Sequence, residues 1–130
     1  MKPMIQTFLD QFIDWAILQP DIKAVALVGS HARGAASPDS DIDLVILADD
    51  PIGYIANQSW ARRFGLIERH RIEDWGKVTS LRVWYEGGPE VEFGFSAIDW
   101  ANKPLDKGTR KVIDEGIVIL YDPQALFEFE

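Results

Sequence analysis

Apolar residues near the start of the chain recur every three or four positions, which is the period of a helix with one buried face. This stripe predicts a helix from Met4 to Leu18, and Pro20 then ends it because proline cannot continue a helix. The apolar run that follows, from Ala24 to Val28, is continuous and consists of small and branched side chains. Such a run favours a strand that is buried on both faces, in the centre of a sheet.

A second apolar run begins after a polar loop that extends from Gly29 to Ser40. It extends from Asp41 to Leu47 and carries two aspartates, Asp41 and Asp43, at its beginning. Alternate residues of a strand point to the same face, so the two carboxylates are expected to lie side by side. Within the loop, a helical turn from His31 to Ala35 is expected, and its N-terminus would point toward an anion bound at the same place.

The rest of the chain predicts further helices and strands. Asp50 is a good helix N-cap and Pro51 fits the first helical position, so one helix is expected from there to Phe64. The charged segment from Leu66 to Trp75 is compatible with a short edge strand or with a connection. The other predicted elements are the two strands of a hairpin, Val78 to Tyr85 and Glu90 to Phe95, a helix from Asp106 to Gly116, a strand from Ile117 to Tyr121 and a brief helix from Gln124 to Phe129.

Together these elements predict an α/β (α+β) fold, with a mixed β-sheet of about five strands and helices mainly on one face. A chain of 130 residues with a hydrophobic content of 47% can form one such domain, over residues 1–130. The sequence has no cysteine, no apolar run long enough to cross a bilayer and no signal-peptide pattern at its start. We therefore expect a cytoplasmic protein that is not embedded in a membrane.

The two aspartates and the turn that precedes them indicate a particular chemistry. Two carboxylates on one face repel each other unless a cation lies between them, and Mg²⁺ prefers such oxygen ligands. A Gly-Ser turn at the end of a buried strand, here Gly29-Ser30, offers backbone N–H groups and a hydroxyl to a phosphate. Arg33 could reach the same phosphate with its guanidinium, although a solvent-exposed loop arginine fits the sequence almost equally well. The sequence therefore predicts a site for a metal and a phosphate.

Gly-Ser, ten further residues and then Asp-x-Asp form the pattern from Gly29 to Asp43. This pattern resembles the signature of the nucleotidyltransferase superfamily that includes DNA polymerase beta, and in particular its small stand-alone members, the minimal nucleotidyltransferases. The resemblance implies the nucleotidyltransferase fold and the transfer of a nucleoside monophosphate, AMP from ATP, onto a hydroxyl. It implies that Asp41 and Asp43 hold two Mg²⁺ ions. Gly29, Ser30 and Arg33 would then bind the nucleotide.

Catalytic members of this superfamily use a third acidic residue from a neighbouring strand, and Glu92 is the best candidate. It lies between Val91 and Phe93 in the predicted hairpin, where an unpaired charge is costly to bury. Glu90 points to the same face of this strand but lies nearer the turn, so it is the second choice for the third acidic residue. The alternative for Glu92 is a charged residue on the exposed face of an antiparallel hairpin. The resemblance implies that Glu92 completes the metal site and assists deprotonation of the acceptor, although many relatives have Asp at this position.

No residue identifies the acceptor, and three hypotheses stay open. The minimal nucleotidyltransferases often resemble antitoxins, so the acceptor could be a hydroxyl of a helical HEPN-type protein that this chain silences. A second hypothesis is an enzyme similar to aminoglycoside nucleotidyltransferases, which would act on a small molecule as a homodimer. The third hypothesis is a non-catalytic module that binds a nucleotide or a protein without turnover.

The charge of the chain bears on its partners. Acidic residues outnumber basic ones by 21 to 13, and the formal net charge is −8. Binding a polynucleotide depends on neutralising its phosphates with Lys and Arg, so we expect no nucleic-acid partner. The alternative is that the charge serves solubility alone. Trp75 and Trp100 lie in predicted loops, where they could stack on a base or face a partner.

Overall fold

The computed structural model describes residues 3–37, 40–102 and 105–127. The elements in chain order are α1 (Pro3–Ile17), β1 (Ile22–Val28), α2 (Gly29–Arg33), β2 (Ile42–Ala48), α3 (Pro51–Ala56), a 3₁₀ helix (Ser59–Phe64), β3 (Ile67–Asp74), β4 (Thr79–Tyr85), β5 (Glu90–Ser96), α4 (Lys107–Glu115) and β6 (Val118–Tyr121). The strands form one mixed sheet in the order β3-β4-β5-β2-β1-β6. Strands β2 and β5 are parallel, whereas the other neighbouring pairs are antiparallel.

The alternation of side chains along β2 assigns the two faces of the sheet. Ile42, Leu44 and Ile46 are buried on the face that α1, α3 and the 3₁₀ helix cover. Val45 and Leu47 are buried on the opposite face, under α4 and in a smaller core that they share with Ala24, Ala26, Val28, Trp100, Ala101 and Phe127. Most helices therefore pack on one face, as predicted, and the beginning of β2 on the other face is only partly covered.

The sheet has six strands, one more than expected, because the charged segment between Leu66 and Trp75 forms a full edge strand. Strand β3 pairs with β4 along almost its whole length, from Ile67 opposite Tyr85 to Asp74 opposite Thr79. An edge strand is half open to solvent, so it tolerates charged side chains on both faces.

The single helix expected from Pro51 to Phe64 was wrong, since the structure divides it into α3 and the 3₁₀ helix. Asn57 is extended at the break, with φ −122° and ψ 108°. Its side-chain oxygen accepts a hydrogen bond from the backbone N–H of Ser59 at 3.2 Å. Asparagine competes with the helix in this way by bonding to nearby backbone groups.

The brief helix expected from Gln124 to Phe129 was also wrong over its described part, where the chain forms turns. The carboxylate of Asp122 accepts hydrogen bonds from the backbone N–H groups of Leu126 and Phe127, both at 2.8 Å. Residues 128–130 lie outside the described part of the chain. Among the described residues, none of the helices combines the length and the apolar character that crossing a membrane requires.

Candidate active site

The parallel pairing of β2 with β5 brings the three predicted carboxylates together. Asp43 and Glu92 are direct neighbours in this pairing, and Asp41 lies immediately before the first residue of β2. One oxygen atom from each of Asp41, Asp43 and Glu92 lies within 4.8 Å of the other two. We call these three residues the acidic triad. Its side chains are half-buried, at the partly covered end of the sheet face.

The triad carries more negative charge than its surroundings can stabilise. Burial, together with Asp41 and Glu92 beside it, raises the pKa of Asp43 to about 9. Burial also disfavours the charged form of Asp41, but hydrogen bonds from Asp43 and Arg82 outweigh this effect and lower the pKa of Asp41. The two adjacent carboxylates therefore differ in acidity, as carboxylates that share a site commonly do.

The donor atoms of the triad fit a divalent metal ion. Oδ1 of Asp43 is buried, and no hydrogen-bond donor reaches it within the described structure. A buried carboxylate oxygen without a partner is costly, and a cation would satisfy it. All candidate ligands are carboxylate oxygens, which suits a hard ion such as Mg²⁺. The triad could thus hold a divalent metal.

Gly29 lies against the triad in a conformation that favours glycine. Its φ is +74°, and a Cβ atom at this position would come within 2.2 Å of Oδ2 of Asp43. The absence of a side chain therefore lets the backbone approach the Asp43 carboxylate. Ser30 follows in the short helix α2, half-buried, at the end of β1 as the sequence predicted.

Arg33, the third predicted nucleotide-binding residue, pairs with a residue outside the triad. Its guanidinium Nη1 is 3.9 Å from Oε2 of Glu115 at the end of α4, and 40% of its side chain is exposed. An exposed ion pair of this length contributes little to stability and leaves the side chain free to move. The described structure therefore brings Gly29 and the triad together and leaves Arg33 at the surface.

Arg82 is a central residue of the site, and its partners could not be inferred from the sequence. It lies opposite Glu92 in the pairing of β4 with β5, and only 15% of its side chain is exposed. Its guanidinium contacts four carboxylates, and the partners with their distances are Asp41 at 2.8 Å, Glu90 at 2.6 Å, Glu73 at 3.0 Å and Glu92 at 3.1 Å. Glu90, the second choice for the third acid, thus pairs with Arg82 and lies outside the triad.

The two loop tryptophans differ in their surroundings. Trp100 is 2% exposed and packs edge-on against Phe127, so most of its side chain belongs to the core, and it also lines a cavity beside the triad. Trp75 is 63% exposed, and its indole N–H donates a hydrogen bond to Oε1 of Glu92 at 3.0 Å. Of the two, Trp75 is the one placed beside the acidic triad.

A cavity of about 330 Å³ lies on the sheet face next to the triad. Asp43, Glu92, Trp75 and Lys77 contribute to its lining. The apolar part of the wall comes from Val28, Val45, Val78 and Val112, and residues Gly108 and Thr109 of α4 close it. Its volume lies at the lower end of the range for small-molecule sites.

The sequence profile of the nucleotidyltransferase domain family matches residues 13–85, which is more than half of the chain. The chain belongs to this family. The matched part includes β1, Gly29, Ser30 and both aspartates of the nucleotidyltransferase domain, and it ends before Glu92. Among curated proteins, none matches the sequence.

Solved structures share the nucleotidyltransferase fold with this chain. An aminoglycoside 6-adenyltransferase from Bacillus subtilis is similar over 100% of this chain and 44% of its own length, with a TM-score of 0.68 and 16% identity. The Cid1 poly(U) polymerase is similar over 89% of this chain and 34% of its own length, with a TM-score of 0.50 and 16% identity. The chain therefore spans less than half the length of either protein, and at these identities the likeness shows the fold alone.

Proposed function

We propose that this nucleotidyltransferase domain transfers a nucleoside monophosphate, AMP from ATP, to a hydroxyl group in a reaction that depends on Mg²⁺. The observation that carries the proposal is the acidic triad, with three carboxylate oxygens within 4.8 Å of one another and a buried oxygen of Asp43 that has no hydrogen-bond partner among the described residues. A bound pair of divalent ions would supply charge stabilisation of the triphosphate and a lowered pKa of the attacking hydroxyl.

The residues of the chain have separate parts in this reaction. Asp41 and Asp43 bind the metal, while Glu92 completes the ligand set and takes up the proton of the acceptor hydroxyl. The acceptor oxygen forms a bond to the α-phosphorus as the bond to pyrophosphate breaks. Gly29 and Ser30 bind the phosphates through backbone N–H groups and the Ser30 hydroxyl. Arg33 reaches the triphosphate by leaving its exposed pair with Glu115.

The cavity beside the triad is the proposed site of the nucleoside. It adjoins Asp43 and Glu92, so a ligand in it would approach the metal ligands with its phosphate end. Trp75 offers an exposed aromatic surface beside it, and base–aromatic stacking is worth about 1–3 kcal/mol in nucleic-acid complexes. Lys77 lies on the same wall, where it adds a positive charge near the nucleotide.

We propose that the acceptor is a protein, a helical partner of the HEPN type. Exposed apolar side chains on the edge strand β6 support a protein partner, since 42% of Val118 and 50% of Ile119 are open to solvent. The second candidate is a small cationic molecule that carries hydroxyl groups. Two further carboxylates beside the triad, Glu73 and Glu90, favour a cationic acceptor over an anionic one.

The first test is calorimetric titration of a non-hydrolysable ATP analogue in the presence of Mg²⁺. Wild type should bind, and an Asp41→Asn, Asp43→Asn double variant should lose binding. The matched control is Asp10→Asn, Asp14→Asn, which removes the same charge from exposed positions of α1. Equal binding by wild type and the triad variant would reject the proposed metal site.

The second test identifies the acceptor with ATP that is labelled on the α-phosphate. Label should appear on the protein product of an adjacent gene for a small helical protein, with release of pyrophosphate. Label on an aminoglycoside would support the small-molecule alternative instead. Nucleotide binding without pyrophosphate release toward either acceptor would favour a non-catalytic module.

A further inference from the structure

We propose that Arg82 is a positioning residue that fixes Asp41 and Glu92 in the geometry that metal binding requires. The inference rests on the proposed function of the acidic triad as a metal site. Arg82 is a cation that donates hydrogen bonds to the carboxylates, so it would not itself be a ligand of the metal.

Arg82 links two members of the triad that come from different strands. Its Nη1 donates to Oδ2 of Asp41 at 2.8 Å, and its Nη2 lies 3.1 Å from Oε1 of Glu92. Asp41 precedes β2 and Glu92 belongs to β5, so the guanidinium spans the join between these strands from its place on β4. Its planar fork holds both carboxylates in a fixed relation, which a flexible ammonium group cannot do.

The orientation of Glu92 depends on two donors that bind the same oxygen. Oε1 of Glu92 lies near Nη2 of Arg82 and accepts the indole N–H of Trp75 at 3.0 Å. Both contacts fall on Oε1, and Glu92 is at the same time the direct neighbour of Asp43 in the pairing of β2 with β5. Hydrogen bonds of this kind from outside the ligand set commonly orient metal-binding carboxylates.

The positive charge of Arg82 could also weaken metal binding by repelling the ion. The carboxylates around Arg82 offset this charge. Arg82 contacts two carboxylates that lie outside the triad, Glu73 through Nε at 3.0 Å and Glu90 through Nη1 at 2.6 Å. These three groups together carry a net negative charge at neutral pH, so they do not repel a divalent ion as a group. Orientation of the triad is therefore the main effect that Arg82 exerts on metal binding.

The test measures binding of Mn²⁺, which replaces Mg²⁺ and gives a spectroscopic signal, without nucleotide. We expect Arg82→Gln to weaken Mn²⁺ binding about 10- to 100-fold, the usual effect of removing a partner of a metal ligand. Arg82→Lys should weaken binding almost as much, because lysine keeps the charge but loses the fork. Near-ultraviolet circular dichroism checks that each variant is folded before its Mn²⁺ affinity is measured. If Arg82→Gln does not fold, the affinity of Arg82→Lys decides the test.

Arg71→Gln is the matched control. Arg71 lies opposite Arg82 on β3 and pairs with Glu73 at 2.6 Å, and Glu73 is not a member of the triad. Its Mn²⁺ affinity should stay within about twofold of wild type, as for a change outside the site. Unchanged or tighter Mn²⁺ binding by folded Arg82→Lys would overturn the inference, and so would an equal loss in the control.

The same titration separates this inference from the proposed function. If wild type and Asp41→Asn, Asp43→Asn bind Mn²⁺ equally, the metal site and the role of Arg82 are both rejected. If the aspartate variant alone loses binding while both Arg82 variants retain it, the metal site stands and only the role of Arg82 is rejected. Loss in the aspartate variant and in both Arg82 variants supports both.

Discussion

Gly29 shows how one residue without a side chain shapes the candidate site. A methyl group at this position would come within 2.2 Å of Oδ2 of Asp43, with Cγ at 3.1 Å, so the carboxylate would have to move. We expect Gly29→Ala to abolish measurable Mn²⁺ binding at concentrations that saturate wild type. Gly34→Ala is the matched control, because Gly34 has a similar φ of +71° but no atom of the described residues would lie within 4 Å of the added methyl group.

Both substitutions strain the backbone, since an L-residue in this region costs about 1–2 kcal/mol. Only Gly29→Ala also displaces a proposed metal ligand. The free energy of unfolding, measured with denaturant, should therefore fall in both variants, whereas Mn²⁺ affinity should fall in Gly29→Ala alone. Retained Mn²⁺ binding in Gly29→Ala would show that the Asp43 carboxylate is not needed at its present position.

Asp43 gives the metal-free protein a pH-dependent stability. Its pKa is raised to about 9 in the folded state, so the folded protein binds a proton that the unfolded chain releases above the ordinary value of 3.8. The free energy of unfolding should therefore decrease as pH rises from 5 to 8, with a slope of at most about 1.4 kcal/mol per pH unit. The lowered pKa of Asp41 affects the free energy of unfolding only at pH values below this range.

Asp43→Asn should remove this decrease, because an amide does not titrate. Denaturant unfolding in the presence of EDTA at several pH values would measure the effect, with the exposed Asp14→Asn as a control that keeps the wild-type slope. Parallel curves for wild type and Asp43→Asn would contradict the prediction.

Local sequence was enough to predict some residues of the site and not others. Asp41 and Asp43 could be placed side by side because the period of a strand is local, and the three atoms of the triad confirm that geometry. Arg82 was different, because its partners come from β2, β3 and β5 and depend on how the strands are aligned. Strand alignment across a Gly-Gly turn is weakly encoded in the sequence, so these contacts could not be predicted.

At the scale of elements, one buried hydroxyl joins the 3₁₀ helix to the sheet. Tyr85 at the end of β4 is 4% exposed and donates a hydrogen bond of 2.7 Å to the backbone oxygen of Ala61. Tyr85→Phe would leave that carbonyl without its partner, so we expect a loss of about 1–3 kcal/mol in the free energy of unfolding. Chemical denaturation of both proteins would measure the difference.

The loss in Tyr85→Phe should leave Mn²⁺ affinity unchanged, because Tyr85 points to the sheet face opposite the triad. Tyr121→Phe on β6 provides a comparison. The side chain of Tyr121 is half-buried and more open to water, so the expected loss in the free energy of unfolding is smaller. A change in Mn²⁺ affinity for Tyr85→Phe would show that the two faces of the sheet are coupled.

Elements with a clear apolar pattern were predicted correctly, whereas the break after Ala56 was missed and the segment that forms β3 was left open between a short edge strand and a connection. Helix α1 and strands β1 and β2 follow their apolar patterns. The break after Ala56 arises because the Asn57 side chain bonds to the backbone N–H of Ser59 in place of a helical bond. Strand β3 has no apolar pattern of its own and exists because β4 offers it hydrogen-bonding partners.

At the scale of the whole molecule, the two faces of the sheet have different roles. One face is sealed by α1, α3 and the 3₁₀ helix and supplies most of the core. The other face is apolar under α4 and polar from β2 to β3, where the triad, Arg82 and Glu73 lie. Most of the hydrophobic core and the residues of the proposed chemistry therefore lie on opposite faces of the same sheet.

The net charge of −8 leads to a final prediction about polyanions. Phosphates of a nucleic acid are attracted by Lys and Arg, and here the proposed active site is surrounded by carboxylates. We therefore expect no binding of a fluorescent single-stranded RNA of about 20 nucleotides at low salt, measured by anisotropy. The ATP analogue should bind in the same buffer only when Mn²⁺ is present, because the ion offsets the repulsion between triphosphate and triad. RNA binding that weakens linearly with the logarithm of salt concentration would contradict this prediction and would direct the search for the acceptor to nucleic acids.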